Sequence, residues 1–130
     1  MSNDKAATEA TEALLRACCE ALDDRKAEEI QVLYLGPASS VADYFIIVSG
    51  TSHPHLRALR NTLHATLKDH DVNTAGRIDR ETDSGWLVVD AENILIHLFT
   101  PDMRNFYQLE RLWRDAEDRT HRFLAIPASN

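Results

Sequence analysis

Residues 43–52 read Asp-Tyr-Phe-Ile-Ile-Val-Ser-Gly-Thr-Ser, and they decide how the rest of this chain is to be read. Asp43 to Ser49 is a continuous run rich in β-branched and aromatic residues, the pattern of a strand covered on both faces. Ser52 is a plausible N-cap for a helix over His53 to Asp69. Pro54 sits early enough in it that its missing N–H costs nothing. Leu56, Leu59, Leu63 and Leu67 give that helix a buried stripe, while Arg57, Arg60, Asn61 and Lys68 take its other faces. From Ile30 through Leu56 there is no Lys or Arg and a single acid, Asp43. A stretch that avoids charge is either the centre of a sheet or part of an interface.

Working outward toward the N-terminus, Ile30 to Leu35 alternates imperfectly and reads as a strand ended by Gly36-Pro37. Before it, a helix is expected over Thr8 to Asp24, with Leu14, Leu15, Cys18 and Leu22 at helical spacing. Residues 1–7 are expected to be loose. Cys18 and Cys19 are adjacent, so on a helix they point about 100° apart and an ordinary disulfide between them is strained. A redox pair or metal ligation is the alternative to small buried residues, and burial is the preferred reading.

Toward the C-terminus, Val72 to Gly85 is polar, with room for a short strand around Ala75 to Ile78. Trp86 to Asp90 and Ile94 to Phe99 are strands joined by a connection of hairpin length, so the pair is expected to be antiparallel. Thr100-Pro101 starts a third helix, expected to run from Asp102 to Ala116 with Phe106, Leu109 and Trp113 on one face. Residues 117–130 read as a polar tail, ordered only if it docks. The order is α-β-β-α-(β)-β-β-α: one α/β domain over residues 8–116 whose mixed sheet is packed by helices.

Hydrophobic residues make up 44% of the chain and charged residues 27%, ordinary for a globular protein. The net charge of −7 argues against nucleic acid as principal partner, since that affinity comes from cations neutralising phosphates. It suits a basic protein partner instead. No apolar run approaches the roughly 20 residues needed to span a bilayer, and no secretory signal is visible, so the cytoplasm is the default.

Catalytic signatures are missing: there is no P-loop, Gly-x-Gly-x-x-Gly, Cys-x-x-Cys or His-Glu-x-x-His, and Ser39 and Ser40 lack a Gly-x-Ser-x-Gly context. His53 and His55 near a helix start could ligate a metal, but no Cys or carboxylate cluster completes the set. Asp90 and Glu92, two apart at a strand end, could hold a divalent ion as in nucleotidyltransferases, with Gly50-Thr51-Ser52 a loose echo of a phosphate-binding turn. The bland reading is a strand end and a solvated turn. Among the aromatic and polar residues of the C-terminal half, Trp113 reads as core, Trp86 as core or an exposed anchor, and His97 as a buried, hydrogen-bonded histidine. An exposed Trp would be a natural hot spot.

Three segments together resemble a known family. Ser39 to Ser52, Ser-Ser-Val-Ala-Asp-Tyr-Phe-Ile-Ile-Val-Ser-Gly-Thr-Ser, resembles the Ser-Ser-Leu-Ala-Asp-Tyr-Phe signature of ribosomal silencing factors (RsfS, Iojap-like). Trp86 to Asp90 followed by Ile94 to Phe99 with His97 resembles their Trp-hydrophobic-Asp and His-hydrophobic-Phe segment. Arg104 to Trp113 resembles their closing Arg-x-Phe-Tyr-x-Leu-Glu-x-Leu-Trp, and Leu22 to Ile30 is similar to their first helix–strand junction. The matches fall in order and cover about Leu14 to Ala116.

The resemblance implies a nucleotidyltransferase-like fold without catalytic residues or cofactor. It implies binding to the large ribosomal subunit through a basic protein on the intersubunit face, a block on small-subunit association, lowered translation when nutrients are scarce, and a homodimer when free. The expected contact residues are Trp86, Asp90 and His97, with Tyr107 and Glu110. Glu92-Asn93 departs from the family's usual Gly-Asp turn, and Asn93 is expected to tolerate the left-handed conformation there. A metal-dependent nucleotidyltransferase using Asp90 and Glu92, and a dimeric adaptor for some other basic protein, are the competing readings.

Overall fold

The computed structural model describes residues 2–36, 39, 42–72 and 84–124, with the side chains of residues 2–6 left aside. Helix α1 (Ser2–Asp24) leads into strand β1 (Glu28–Tyr34), then β2 (Tyr44–Ser49) and α2 (His53–Asp69). The hairpin β3 (Trp86–Ala91) and β4 (Ile94–Phe99) follows, then two short helices, α3 (Pro101–Tyr107) and α4 (Leu109–Leu112). Strand β5 (Glu117–Asp118) and helix α5 (Thr120–Phe123) close the described chain. The strand expected around Ala75 to Ile78 lies outside the described residues.

The strands form one mixed sheet in the order β3-β4-β2-β1-β5. β2 runs parallel to β4, with Tyr44 opposite Ile94 and Ser49 opposite Phe99, whereas β1/β2, β3/β4 and β1/β5 are antiparallel. All six residues of β2 are buried. The charge-free window therefore owes its composition to the centre of the sheet, where an unpaired charge has no partner and no water.

One face of the sheet is sealed by α1 and α2. Leu15, Cys18, Cys19 and Leu22 of α1 meet Leu56, Leu59, Leu63 and Leu67 of α2 over Ile46, Val48, Ile94, Ile96 and Leu98. Each leucine removed from water there contributes about 2 kcal/mol. The Ser52 hydroxyl accepts from the His55 backbone N–H at 3.2 Å, the cap expected at the start of α2. Helix α1 begins at Ser2, earlier than the Thr8 expected.

Two corrections concern the C-terminal third. The helix expected over Asp102 to Ala116 is broken, because Gln108 adopts a left-handed conformation (φ 47°) and its N–H closes α3 on the Arg104 carbonyl. With the helical period interrupted, Phe106 is not on a buried face but 72% exposed. The described part of the polar tail, residues 117–124, docks in turn. Arg119 donates its N–H to the Val32 carbonyl at 2.8 Å, and Val32 returns its own to the Thr120 hydroxyl at 2.9 Å. The Arg119 guanidinium lies 3.8 Å from the Tyr34 ring centroid and donates to the Tyr44 hydroxyl at 2.7 Å. Phe123, 3% exposed, plugs the gap beside α1.

The β3–β4 hairpin forms as expected, but Glu92 (φ 64°) takes the left-handed position rather than Asn93. Asn93 instead donates to the Thr11 hydroxyl at 2.8 Å and accepts at its carbonyl from the N–H groups of Asp43 and Tyr44. The turn is thereby tied to α1 and to the start of β2.

Candidate functional site

Among the described residues the other sheet face is covered by α3, α4 and the segment from Trp113 to Ala116, and there the aromatic residues gather. Alternation along β3 sends Leu87, Val89 and Ala91 to the sealed side and Trp86, Val88 and Asp90 to the open one. Pairing then places Trp86 opposite Phe99, Val88 opposite His97, and Asp90 opposite Leu95. On the far side of β4, Ile47 lies opposite His97 and Phe45 opposite Leu95.

These neighbours form a chain of ring contacts. Trp86 stacks on Phe99 at 5.0 Å and meets Tyr107 at 4.6 Å. His97 packs edge-on to Phe45 at 4.6 Å, and Phe45 meets Trp113 at 5.6 Å. Each such pair contributes about 1 kcal/mol beyond its buried area, so the row is stiff as well as apolar. Gly85 precedes it at φ 83°, and a side chain there would run into Thr100 and Met103. Glycine thus lets α3 settle close enough for Tyr107 to reach Trp86.

His97 is 5% exposed. The Trp86 indole N–H, a donor only, points at its Nδ1 at 3.2 Å, so Nδ1 must be the acceptor and the ring proton sits on Nε2. That Nε2–H is buried and has no partner among the described residues. Burial pushes the His97 pKa down to about 4, and the ring is neutral at physiological pH.

The five residues expected at the contact surface do not form one group. Trp86, His97 and Tyr107 touch in sequence, and Asp90 is half-buried on the same face. Glu110 stands apart: its carboxylate accepts from Arg104 Nε at 2.7 Å. Trp113, read as core, is half-buried against Phe45. Sequence reasoning missed Val88 (39% exposed), Phe106 and Leu112 (75% exposed), the large apolar side chains open to solvent among the described residues. Strand alternation could have found Val88. The other two depended on the break at Gln108.

Among the described residues no three His, Cys, Asp or Glu side chains are placed to hold a metal ion. His55 uses both ring nitrogens, Nδ1 accepting from Thr51 N–H at 2.9 Å and Nε2 bonding the Arg25 carbonyl at 2.8 Å. Cys18 and Cys19 are free, fully buried thiols whose pKa values burial pushes up to about 12. No described helix is long and apolar enough to cross a membrane.

Comparison with known proteins gives a family and a fold. The family model described as "Ribosomal silencing factor during starvation" matches residues 8–129. The chain is 38% identical over 102 residues to the ribosomal silencing factor RsfS of Zymomonas mobilis, covering 78% of this chain and 76% of that one. It is 35% identical over 94 residues to mouse "Mitochondrial assembly of ribosomal large subunit protein 1", covering 71% of this chain and 41% of the longer mouse protein. A crystal structure of a Chromobacterium violaceum protein superposes with a TM-score of 0.71 at 27% identity, covering 78% of this chain and 83% of that one.

Proposed function

Because the chain belongs to the RsfS family of ribosomal silencing factors, we propose that it binds the large ribosomal subunit and keeps the small one from joining. Its partner is a basic protein on the intersubunit face of the large subunit, and the result is lowered translation under nutrient limitation. The role is one of binding, without catalysis or cofactor, and places the protein in the cytoplasm. The observation that carries the reading is the open aromatic face, where Trp86, Val88 and Tyr107 lie beside Asp90 on a chain of net charge −7. Aromatic anchors supply most of the energy at such interfaces, while charge of the opposite sign speeds encounter. The name of the mouse relative, which refers to assembly of the large ribosomal subunit, supports the choice of subunit. The free protein is read as a homodimer, for which exposed Phe106 and Leu112 are the support.

The test adds purified protein to separated subunits and follows association on a sucrose gradient. The protein is expected to co-sediment with large subunits and to reduce the associated particle. Replacing Trp86 by Ala is expected to weaken binding by about 2 kcal/mol or more, and Tyr107→Ser, at an exposed position, to weaken it without unfolding. No co-sedimentation and no effect on association sinks the reading.

A further inference from the structure

Strands β2 and β4 end side by side, at Ser49 and Phe99. Outside their carboxyl ends lies a cleft of about 390 Å³, lined by Glu29, Ser49, Arg104, Asn105, Gln108 and Arg111 among others. This is where open α/β sheets place their ligands. It is separate from the aromatic row, and its residues have no part in the proposed ribosome contact except Glu110.

The backbone around the cleft is held in costly shapes. Glu29 (φ 49°) and Gln108 (φ 47°) are both left-handed without being glycine, and β1 is bulged between Glu28 and Gln31. Such conformations persist only where surrounding contacts impose them, and they cluster at ligand sites. At Glu29 the contact comes from the Arg104 side chain. Arg104, 11% exposed, donates from Nη1 to the Glu29 carbonyl at 2.6 Å and the Ser49 hydroxyl at 3.1 Å, and from Nε to Glu110 at 2.7 Å.

Several donors on this wall remain unused. Arg104 keeps its Nη2 without a protein partner among the described residues. Arg111 Nη1 donates to the Gln108 side-chain oxygen at 2.9 Å, which leaves the Gln108 amide nitrogen free to donate and the rest of the Arg111 guanidinium open. One of the two Glu110 oxygens is taken by Arg104. Two cations and an amide thus line the cleft with N–H groups to spare, across from the second Glu110 oxygen and the Glu29 carboxylate at the mouth.

We propose that this cleft binds a small oxyanion-bearing molecule, a carboxylate or a phosphate ester, whose oxygens take the free N–H groups of Arg104, Gln108 and Arg111. The exposed Glu29 at the mouth and the overall charge of −7 disfavour a polyanion.

The inference is tested without ribosomes. Isotope-labelled protein is titrated with inorganic phosphate and, separately, with acetate, at ionic strength held constant with chloride. Saturable shifts of the Arg104 Nε–H and the Gln108 side-chain amide are expected. Saturation by phosphate alone assigns a phosphoryl ligand, by acetate alone a carboxylate, and by both a general oxyanion site. Arg111→Gln is expected to weaken the binding roughly tenfold, the effect of one charge-assisted hydrogen bond, with an unchanged melting temperature because Arg111 is exposed. Linear, non-saturating shifts with both anions, or equal binding by the Arg111→Gln variant, overturn the proposal.

Discussion

Acidification should unfold this protein partly through a single histidine. His97 sits among uncharged rings, Phe45, Trp86 and Phe99, so burial alone lowers its pKa from 6.5 to about 4. The folded state resists the proton and the unfolded state accepts it. Stability from this group is therefore complete above pH 6.5 and is lost as pH falls from 6.5 toward 4. The full difference is worth roughly 3 kcal/mol, and roughly 2 kcal/mol of it is gone by pH 5. Protonation also puts a second N–H on Nδ1, facing the Trp86 indole N–H that it had been accepting. Urea unfolding followed by far-UV circular dichroism at neutral pH and at pH 5 measures the loss. His97→Gln keeps an acceptor for the indole and removes the titration, which separates His97 from the other five histidines. Wild type should lose roughly 2 kcal/mol more than the variant over that interval. Equal losses, or a His97 ring resonance titrating near 6.5 in the folded protein, would refute the argument.

Other substitutions probe separate contacts. Phe123→Ala should cost about 3 kcal/mol in denaturant unfolding, the value for emptying a buried aromatic site, and a loss near zero would mean that the C-terminal segment does not dock. Arg104→Met removes the bonds to Glu29, Ser49 and Glu110 and should cost about 2 kcal/mol, measured by thermal unfolding. Ser52→Ala should cost about 1 kcal/mol through the lost cap of α2, read in the same assay. Phe106→Ser and Leu112→Ser, at exposed positions, should leave the melting temperature nearly unchanged while making the free protein more monomeric by sedimentation.

The elements with a strong period or a strong stop were legible before any coordinates. Helix α2 lies where Ser52, Pro54 and the leucine stripe put it, from His53 to Asp69. The hairpin was legible because the connection Ala91-Glu92-Asn93 is too short for anything but an antiparallel pair. Gln108 was not, since nothing in the local sequence marks a glutamine for a left-handed break. The docking of residues 117–123 was hidden for a similar reason. Two residues of strand and one turn of helix carry too little pattern to read, and their order comes from Val32, Tyr34 and Tyr44, far away in sequence. At the candidate site, Trp86, His97 and Tyr107 could be named singly, but their contact arises from strand register and the placement of α3, which composition does not encode. Glu110, named for the surface, is ion-paired with Arg104.

The pairing of β5 with β1 has a consequence for the order of events during synthesis. β1 leaves the ribosome early, yet the partner along its outer edge, Glu117–Asp118, is made more than eighty residues later. At roughly 5–20 residues per second, that edge stays uncovered for several seconds of elongation. An open strand edge is a template for pairing with other chains. Chains cut short before Arg119 should therefore be the sticky ones, and the nascent protein has a vulnerable interval that the finished one does not.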